Sequence, residues 1–340
     1  MQAQLIALDW GTTSLRAYRL GEHGRVLEQR SLGAGIMQLP TTSRTILGQH
    51  ITDGFELAFD EACGDWLDAE PTLPVIACGM VGSAQGWREA TYQQTPASVA
   101  ALSSALVTVR SVRGVDVHII PGVLQRSELP NVMRGEETQV LGILESLPAS
   151  EAAKPLLIGL PGSHSKWVRA VAGRIEHFDT FMTGEVFAAL SSHTILGRTM
   201  QRSDAFDAEA FDRGVAVSRS ASGAAGPLST IFSCRTLGLT GVLSGTAQTD
   251  YLSGLLIGHE IFALTQLLGQ TQAPLPAVIL IGSDALIARY QRALDANGFP
   301  RVTLAEQATE RGLWQVAVQA GLISSSSSSS AAARPPHVEN

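Results

Sequence analysis

The sequence predicts an α/β protein built as two similar domains, and three observations predict it. At 340 residues the chain is longer than one compact core usually requires, and two domains of roughly 150 residues each are the natural expectation. Short apolar runs at strand period alternate with longer stretches at helical period. A strand–turn–strand–turn–strand unit at the N-terminus also returns about 151 residues later. Chance produces a repeat of a whole three-strand unit far less often than either of its turns alone.

Strands are expected at residues 5–8, 15–20, 25–31, 74–78, 115–120, 156–160, 166–170, 174–178 and 278–281. Helices are expected at 42–68, 137–147, 208–219, 250–268 and 285–297. The first strand runs into Asp9-Trp10-Gly11-Thr12-Thr13-Ser14 before the chain becomes a strand again. A tight turn at Gly11 lets backbone N–H groups approach an oxyanion, Thr12, Thr13 and Ser14 add hydroxyl donors, and Asp9 can hold a water of bound Mg²⁺. An ordinary hairpin whose polar residues satisfy the turn accounts for the same residues. The echo is Leu157-Ile158-Gly159-Leu160-Pro161-Gly162-Ser163-His164-Ser165-Lys166-Trp167-Val168. Each copy continues through a second turn, at Gly21-Glu22-His23-Gly24 or Ala172-Gly173, into a third strand. Pro161 stands roughly where Asp9 stands, so the carboxylate is not duplicated, and any Mg²⁺ role falls first on Asp9.

Between the hairpins, Gly79-Met80-Val81-Gly82-Ser83-Ala84-Gln85-Gly86-Trp87-Arg88 follows the strand at 74–78, at the carboxyl end where open α/β sheets bind ligands. Its amides can hold a carboxylate or a sugar hydroxyl. Equally, its glycines can make a compact loop plugged by Trp87. Arg134-Gly135-Glu136-Glu137-Thr138-Gln139 sets two acids before an apolar helix, where they favour its dipole. The stretch 252–268 is interrupted by His259, Glu260 and Gln266 and reads as a buried helix. Ser324 to Ser330 and the Ala/Arg/Pro residues after them read as a disordered tail. The domains expected are 1–153 and 154–323, with the tail at 324–340.

A net charge of −7 with 16% charged residues gives no sign of a nucleic-acid surface. The three cysteines, Cys63, Cys78 and Cys234, lack disulfide or zinc spacing, and a reducing cytosol is the expected home. Asp9, Arg16 and Arg19 exclude a signal peptide's apolar run, and no membrane span is expected.

These residues resemble the sugar kinase/actin/heat-shock ATPase superfamily: a first phosphate motif at 9–16, a second at 160–166, and an adenosine motif at 277–286. Within it they resemble the 2-dehydro-3-deoxygalactonokinase (2-oxo-3-deoxygalactonate kinase) family, to about Ile323. That resemblance rests on Leu8-Asp9-Trp10-Gly11-Thr12, Gly79–Ser83, Gln85-Gly86-Trp87, Met133–Gln139, Pro161–Val168 and Thr183-Gly184-Glu185. Ser283 departs from the superfamily's usual second glycine, which leaves the adenine contacts open.

The resemblance implies two actin-like (ribonuclease H-like) domains, each a mixed sheet flanked by helices, with an ATP cleft between them. It implies ATP and Mg²⁺, the metal at Asp9, and phosphorylation of a 2-oxo-3-deoxy sugar acid at its terminal hydroxyl in galactonate catabolism. ATP would be held by Gly11, Thr12, Thr13, Ser14, Gly162, Ser163, His164, Ser165, Lys166, Gly282 and Ser283, although Lys166 can equally point to solvent. The sugar acid would be held by Arg16, Gly79, Met80, Gly82, Ser83, Gln85, Trp87 and Arg134. Glu136 would be the general base, with Glu137 in reserve. Ala308–Leu313 resembles the superfamily's hinge segment. The expected partner is a small-molecule sugar acid, with no nucleic acid or membrane; the expected assembly is a homodimer. The rival expectations are a kinase of a related sugar or sugar acid, and a nucleotide-switched actin- or chaperone-like binding protein. A chaperone needs a substrate module after the ATPase, where only the serine tail follows. A sugar-responsive repressor needs a DNA-binding helix pair ahead of residue 5.

Overall fold

The computed structural model describes residues 2–201, 203–269 and 274–324. From residue 325 on, the stretch expected to be a disordered tail lies outside the described residues. Packing divides the chain into two units: residues 2–90, 102–120 and 313–324 in the first, and most of 91–101 and 121–312 in the second. This division does not fall at 153. Residues 121–153 pack with the second unit, and 313–323 with the first.

The first unit is organised by a six-stranded sheet ordered Val26–Leu32, Leu15–Leu20, Leu5–Trp10, Val75–Gly79, Asp116–Ile119, Val107–Arg110. Leu5–Trp10 runs antiparallel to Leu15–Leu20, with Asp9 opposite Arg16, and parallel to Val75–Gly79. A strand covered on both faces must be apolar along its length, and every residue of Leu5–Trp10 except Asp9 is buried. Helix Gly54–Ala69 covers one face through Ala58, Phe59, Ala62, Cys63, Trp66 and Leu67, the four-residue spacing of one helical stripe.

The helix expected over 42–68 begins only at Gly54. Asp53 caps it, its carboxylate accepting from the Phe55 and Glu56 N–H groups at 2.8 and 3.2 Å. Upstream, Arg44–Ile46 and Gln49–Ile51 form a hairpin instead. Leu47 and Gly48 turn it with φ of 46° and 80°, two positive values that a two-residue hairpin turn requires and a helix forbids.

The second unit repeats the arrangement with a sheet ordered Arg174–Phe181, Ser165–Val171, Leu156–Leu160, Val278–Leu280, Val302–Leu304. The first two pairings are again antiparallel and the rest parallel. Helices Ala208–Ser218, Gly245–Gly269 and Asp284–Ala296 bury their apolar residues against it. By length and composition Gly245–Gly269 passes as a membrane span, but half of its most apolar window is buried inside the protein, where it packs as the core helix the sequence suggests. Short strands Gln93–Gln94, Val123–Gln125 and Asn131–Met133 add a small sheet that the residue pattern did not indicate.

Helix Glu136–Ser146 joins this unit by crossing the start of helix Ala308–Gln319. Gln139 donates to the Thr309 hydroxyl at 3.0 Å, and a Cβ on Gly312 would overlap the Thr138 carbonyl. Gly312→Ala is therefore expected to lower stability by about 1–3 kcal/mol, read as a reduced urea midpoint with an unchanged slope.

Candidate active site

The first hairpin closes through Gly11–Ser14, with the Gly11 N–H donating to the Ser14 carbonyl at 2.9 Å. Thr12 and Thr13 are exposed. The turn does not stand alone. Ile36 and Met37 donate their N–H groups to the Gly11 and Thr12 carbonyls at 3.1 and 3.0 Å, and a Cβ on Gly35 would overlap the Thr12 and Thr13 backbone. The Trp10 indole N–H donates to the Ala34 carbonyl at 2.9 Å and pins the same segment. Asp9, at the strand's end, faces the Arg16 guanidinium at 3.4 Å.

At the end of the neighbouring strand, Gly79 adopts φ 92°, with its α-carbon against the Trp10 carbonyl. The loop after it is compact: Ser83 and Gly86 donate their amides to Met80 and Ser83 carbonyls, and Ala90 donates to Gly82. Trp87 stacks on Phe55 at 6.1 Å and meets Trp10 and Phe59 at 5.8 and 5.6 Å, so its ring is spent on the core. The Ser83 hydroxyl is buried without a hydrogen bond among the described residues. Gln85 is exposed and Met80 and Gly82 are covered to differing degrees.

The second hairpin has the same support. Glu185 donates its N–H to the Ser163 carbonyl at 3.0 Å, and a Cβ on Gly184 would come 2.5 Å from the Gly162 carbonyl oxygen. Gly184 thus stands behind Gly162–Ser163 as Gly35 stands behind Thr12–Thr13. Ser163 and His164 are exposed, and His164 pairs with Glu185. Gly162 and Ser163 line a cavity of about 430 Å³ together with Thr183, Gly184, Asp250 and Arg289. Arg289 is held by Asp250 at 2.6 Å and lies 4.4 Å over the Phe206 ring. None of these last three was a sequence candidate; the available signal was an acid recurring inside an otherwise apolar helix. Gly282 and Ser283 are exposed and do not line this cavity.

Ser165 and Lys166 turn away from the hairpin tip. Ser165 is fully buried against the Tyr290 hydroxyl at 2.8 Å. The Lys166 ammonium is also buried, donating to the Val132 carbonyl at 3.2 Å and the Thr180 hydroxyl at 2.9 Å. Burial lowers its pKa, opposed by the Glu136 charge. Lys166 therefore sits by the acid pair and does not point to solvent.

That pair opens helix Glu136–Ser146. Glu137 is wholly buried, accepting from the Gly135 N–H at 2.7 Å and the Thr138 hydroxyl at 3.0 Å. Burial first, and the Glu136 charge second, push its pKa up to about 8. Glu136 keeps an accessible edge while accepting from the Arg134 N–H at 3.1 Å. The Arg134 guanidinium lies 4.3 Å over the Tyr92 ring.

Two α/β units that share the order and directions of five strands, each ending its first hairpin in a glycine-backed turn of hydroxyl donors, define an actin-like class of fold. The profile of the 2-keto-3-deoxy-galactonokinase family matches residues 9–316. A probable 2-dehydro-3-deoxygalactonokinase of Rhizobium meliloti (strain 1021) is 38% identical over 313 residues, spanning 90% of this chain and 94% of that protein. The 2-dehydro-3-deoxygalactonokinase of Escherichia coli (strain K12) is 33% identical over 324 residues, spanning 93% and 98%. A crystal structure of a proposed 2-dehydro-3-deoxygalactonokinase from Sinorhizobium meliloti superposes with a TM-score of 0.79 at 36% identity, covering 92% of this chain and 98% of that one. The chain belongs to the 2-keto-3-deoxy-galactonokinase family and is a kinase.

The acid pair makes stability depend on pH. Between the ordinary carboxyl value of 4.5 and about 8, the folded chain holds a proton at Glu137 that the unfolded chain releases. This contribution is full below the lower value and is lost as pH rises through the upper one. Thermal unfolding from pH 6 to 9 should show a falling Tm, and Glu137→Gln should flatten that fall by on the order of 3 kcal/mol.

Proposed function

We propose that this protein transfers the γ-phosphoryl group of ATP to the terminal (6-) hydroxyl of 2-dehydro-3-deoxy-D-galactonate, in galactonate catabolism in the cytoplasm. The observation that carries this reading is the helix start at Gly135, where the carboxylate of Glu136 accepts from the Arg134 backbone N–H and keeps an accessible edge while Glu137 is buried. An alcohol acceptor needs such a base, and the guanidinium of Arg134, set over the Tyr92 ring, is a cation two residues away for its acid group. The family relatives named for this acceptor support the same reading.

Glu136 receives the proton of the attacking hydroxyl. The hydroxyl oxygen bonds to the γ-phosphorus while the bond to the β–γ bridging oxygen breaks, and ADP leaves. Glu137 is unsuited to that role, because burial keeps it protonated near neutral pH and its oxygens are committed to Gly135 and Thr138. Phosphoryl transfer depends on positioning and charge neutralisation more than on covalent chemistry. Thr12, Thr13 and Ser14 supply donors from the first hairpin, and Gly162, Ser163 and His164 from the second. The cavity beside Gly162 and Ser163 takes the nucleoside end of ATP.

Mg²⁺ usually takes one or two carboxylates and completes its shell with phosphate oxygens and waters. Asp9, a single carboxylate at a strand end beside a donor turn, fits that requirement. Bound there with ATP, the ion would neutralise phosphate charge. Arg134 and the loop around Gly79, Gly82 and Ser83 hold the sugar acid. The Ser83 hydroxyl is buried in the loop without a hydrogen bond among the described residues, whereas the packed ring of Trp87 shapes the loop from beneath.

The test is ADP release from the purified protein with 2-dehydro-3-deoxygalactonate, its gluconate epimer and neutral hexoses. Turnover is expected with the first acid; no ADP release with any sugar acid overturns the reading. Glu136→Gln should lower kcat about 10²- to 10⁴-fold with little change in the KM for ATP. Near-normal turnover would remove Glu136 as the base.

A further inference from the structure

Glu260 is a carboxylate that the reaction above does not use. It lies on helix Gly245–Gly269, is 3% exposed, and receives hydrogen bonds from three other elements. The Trp167 indole N–H donates to one carboxylate oxygen at 2.7 Å, and the Tyr290 hydroxyl donates to the other at 2.7 Å. The Ser165 hydroxyl in turn donates to the Tyr290 oxygen at 2.8 Å, and the Thr183 hydroxyl also bonds to the carboxylate. Burial pushes its pKa up to about 7 despite these donors.

These partners are not scattered through the core. Ser165 and Trp167 lead the strand that leaves the second hairpin. Thr183 immediately precedes Gly184, the residue behind Gly162–Ser163. Tyr290 is on the helix that follows the adenosine motif. Thr183 and Tyr290 also line the cavity of about 430 Å³. An apolar residue at 260 would fill the volume but leave a buried indole N–H and a buried hydroxyl without their acceptor.

We propose that Glu260 is a positioning residue for the nucleotide: it locks the hairpin strand, the Gly184 turn and the Tyr290 helix into the spacing that the cavity needs. This rests on the reading that the cavity takes the nucleoside end of ATP. Glu260 does not itself line that cavity, so its loss would act there through the residues it holds.

The experiment is an ADP titration of the full-length protein by intrinsic tryptophan fluorescence, paired with steady-state kinetics. Glu260→Gln keeps the volume and an acceptor for Trp167, but turns a donor toward Tyr290. It is expected to weaken ADP binding and raise the KM for ATP by about 5- to 20-fold, within the range for leaving one buried hydrogen-bonding group unsatisfied. The KM for the sugar acid and the kcat should stay within about twofold. Tyr290→Phe removes the same bond from the other side and should shift ADP affinity in the same direction, which decides the matter should Glu260→Gln not fold. Unchanged ADP affinity in a folded variant, or equal rises in both KM values, overturns the proposal. Failure of the wild type to bind ADP overturns the nucleotide reading itself, and the proposal with it.

Discussion

Both hairpin turns depend on one steric constraint, backbone packed directly on backbone. At the first, the Gly35 α-carbon lies against Thr12 and Thr13; at the second, that of Gly184 lies against Gly162 and Ser163. A side chain at either glycine would displace the turn. The contact lets the supporting segment donate amides into the turn's carbonyls, leaving the hydroxyls of Thr12, Thr13 and Ser163 facing outward. A donor loop made this way is rigid before any ligand arrives, and prior organisation is what electrostatic stabilisation of a transferring phosphoryl group requires. Elsewhere, the seating of Gly79 on the Trp10 carbonyl and of Gly312 on Thr138 follows the same logic.

Buried carboxyl groups are the second organising feature. Glu137 and Glu260 are both removed from water and both have raised pKa values, yet their settings differ. Glu137 is satisfied locally, by Gly135 and by the adjacent Thr138, so it stiffens a helix start and leaves Glu136 as the accessible acid. Glu260 is satisfied across the unit, by side chains separated from it by tens of residues in the chain. The first shapes a single turn, and the second ties several elements together. Lys166 extends the pattern: its ammonium, desolvated but bonded to Val132 and Thr180, adds positive charge near Glu136.

The repeat was legible because it is local. Each hairpin needs only apolar strands, a glycine and short polar residues in succession, and these stand next to one another in the chain. Its full extent was not, because Gly35 follows the third strand and looks like any loop glycine until Thr12 is seen against it. The helix expected over 42–68 failed for a related reason. Apolar spacing carried the pattern back past Asp53, whereas the cap at Asp53 and the turn at Leu47 and Gly48 decide where the helix starts.

Sequence alone determined the α/β class, the two hairpins, the acid pair at 136 and 137, and the family resemblance, all carried by neighbouring residues or by a repeat of known spacing. Only the tertiary structure decided which side chains are covered. It committed Trp87 to an aromatic cluster, turned Ser165 and Lys166 inward, buried Glu137, brought Asp250 and Arg289 to the cavity beside Gly162 and Ser163, and tied Glu260 to Trp167 and Tyr290. The physical reason is that burial and hydrogen-bond partnership are set by contacts between elements far apart in the chain, and those contacts leave no local periodicity to read.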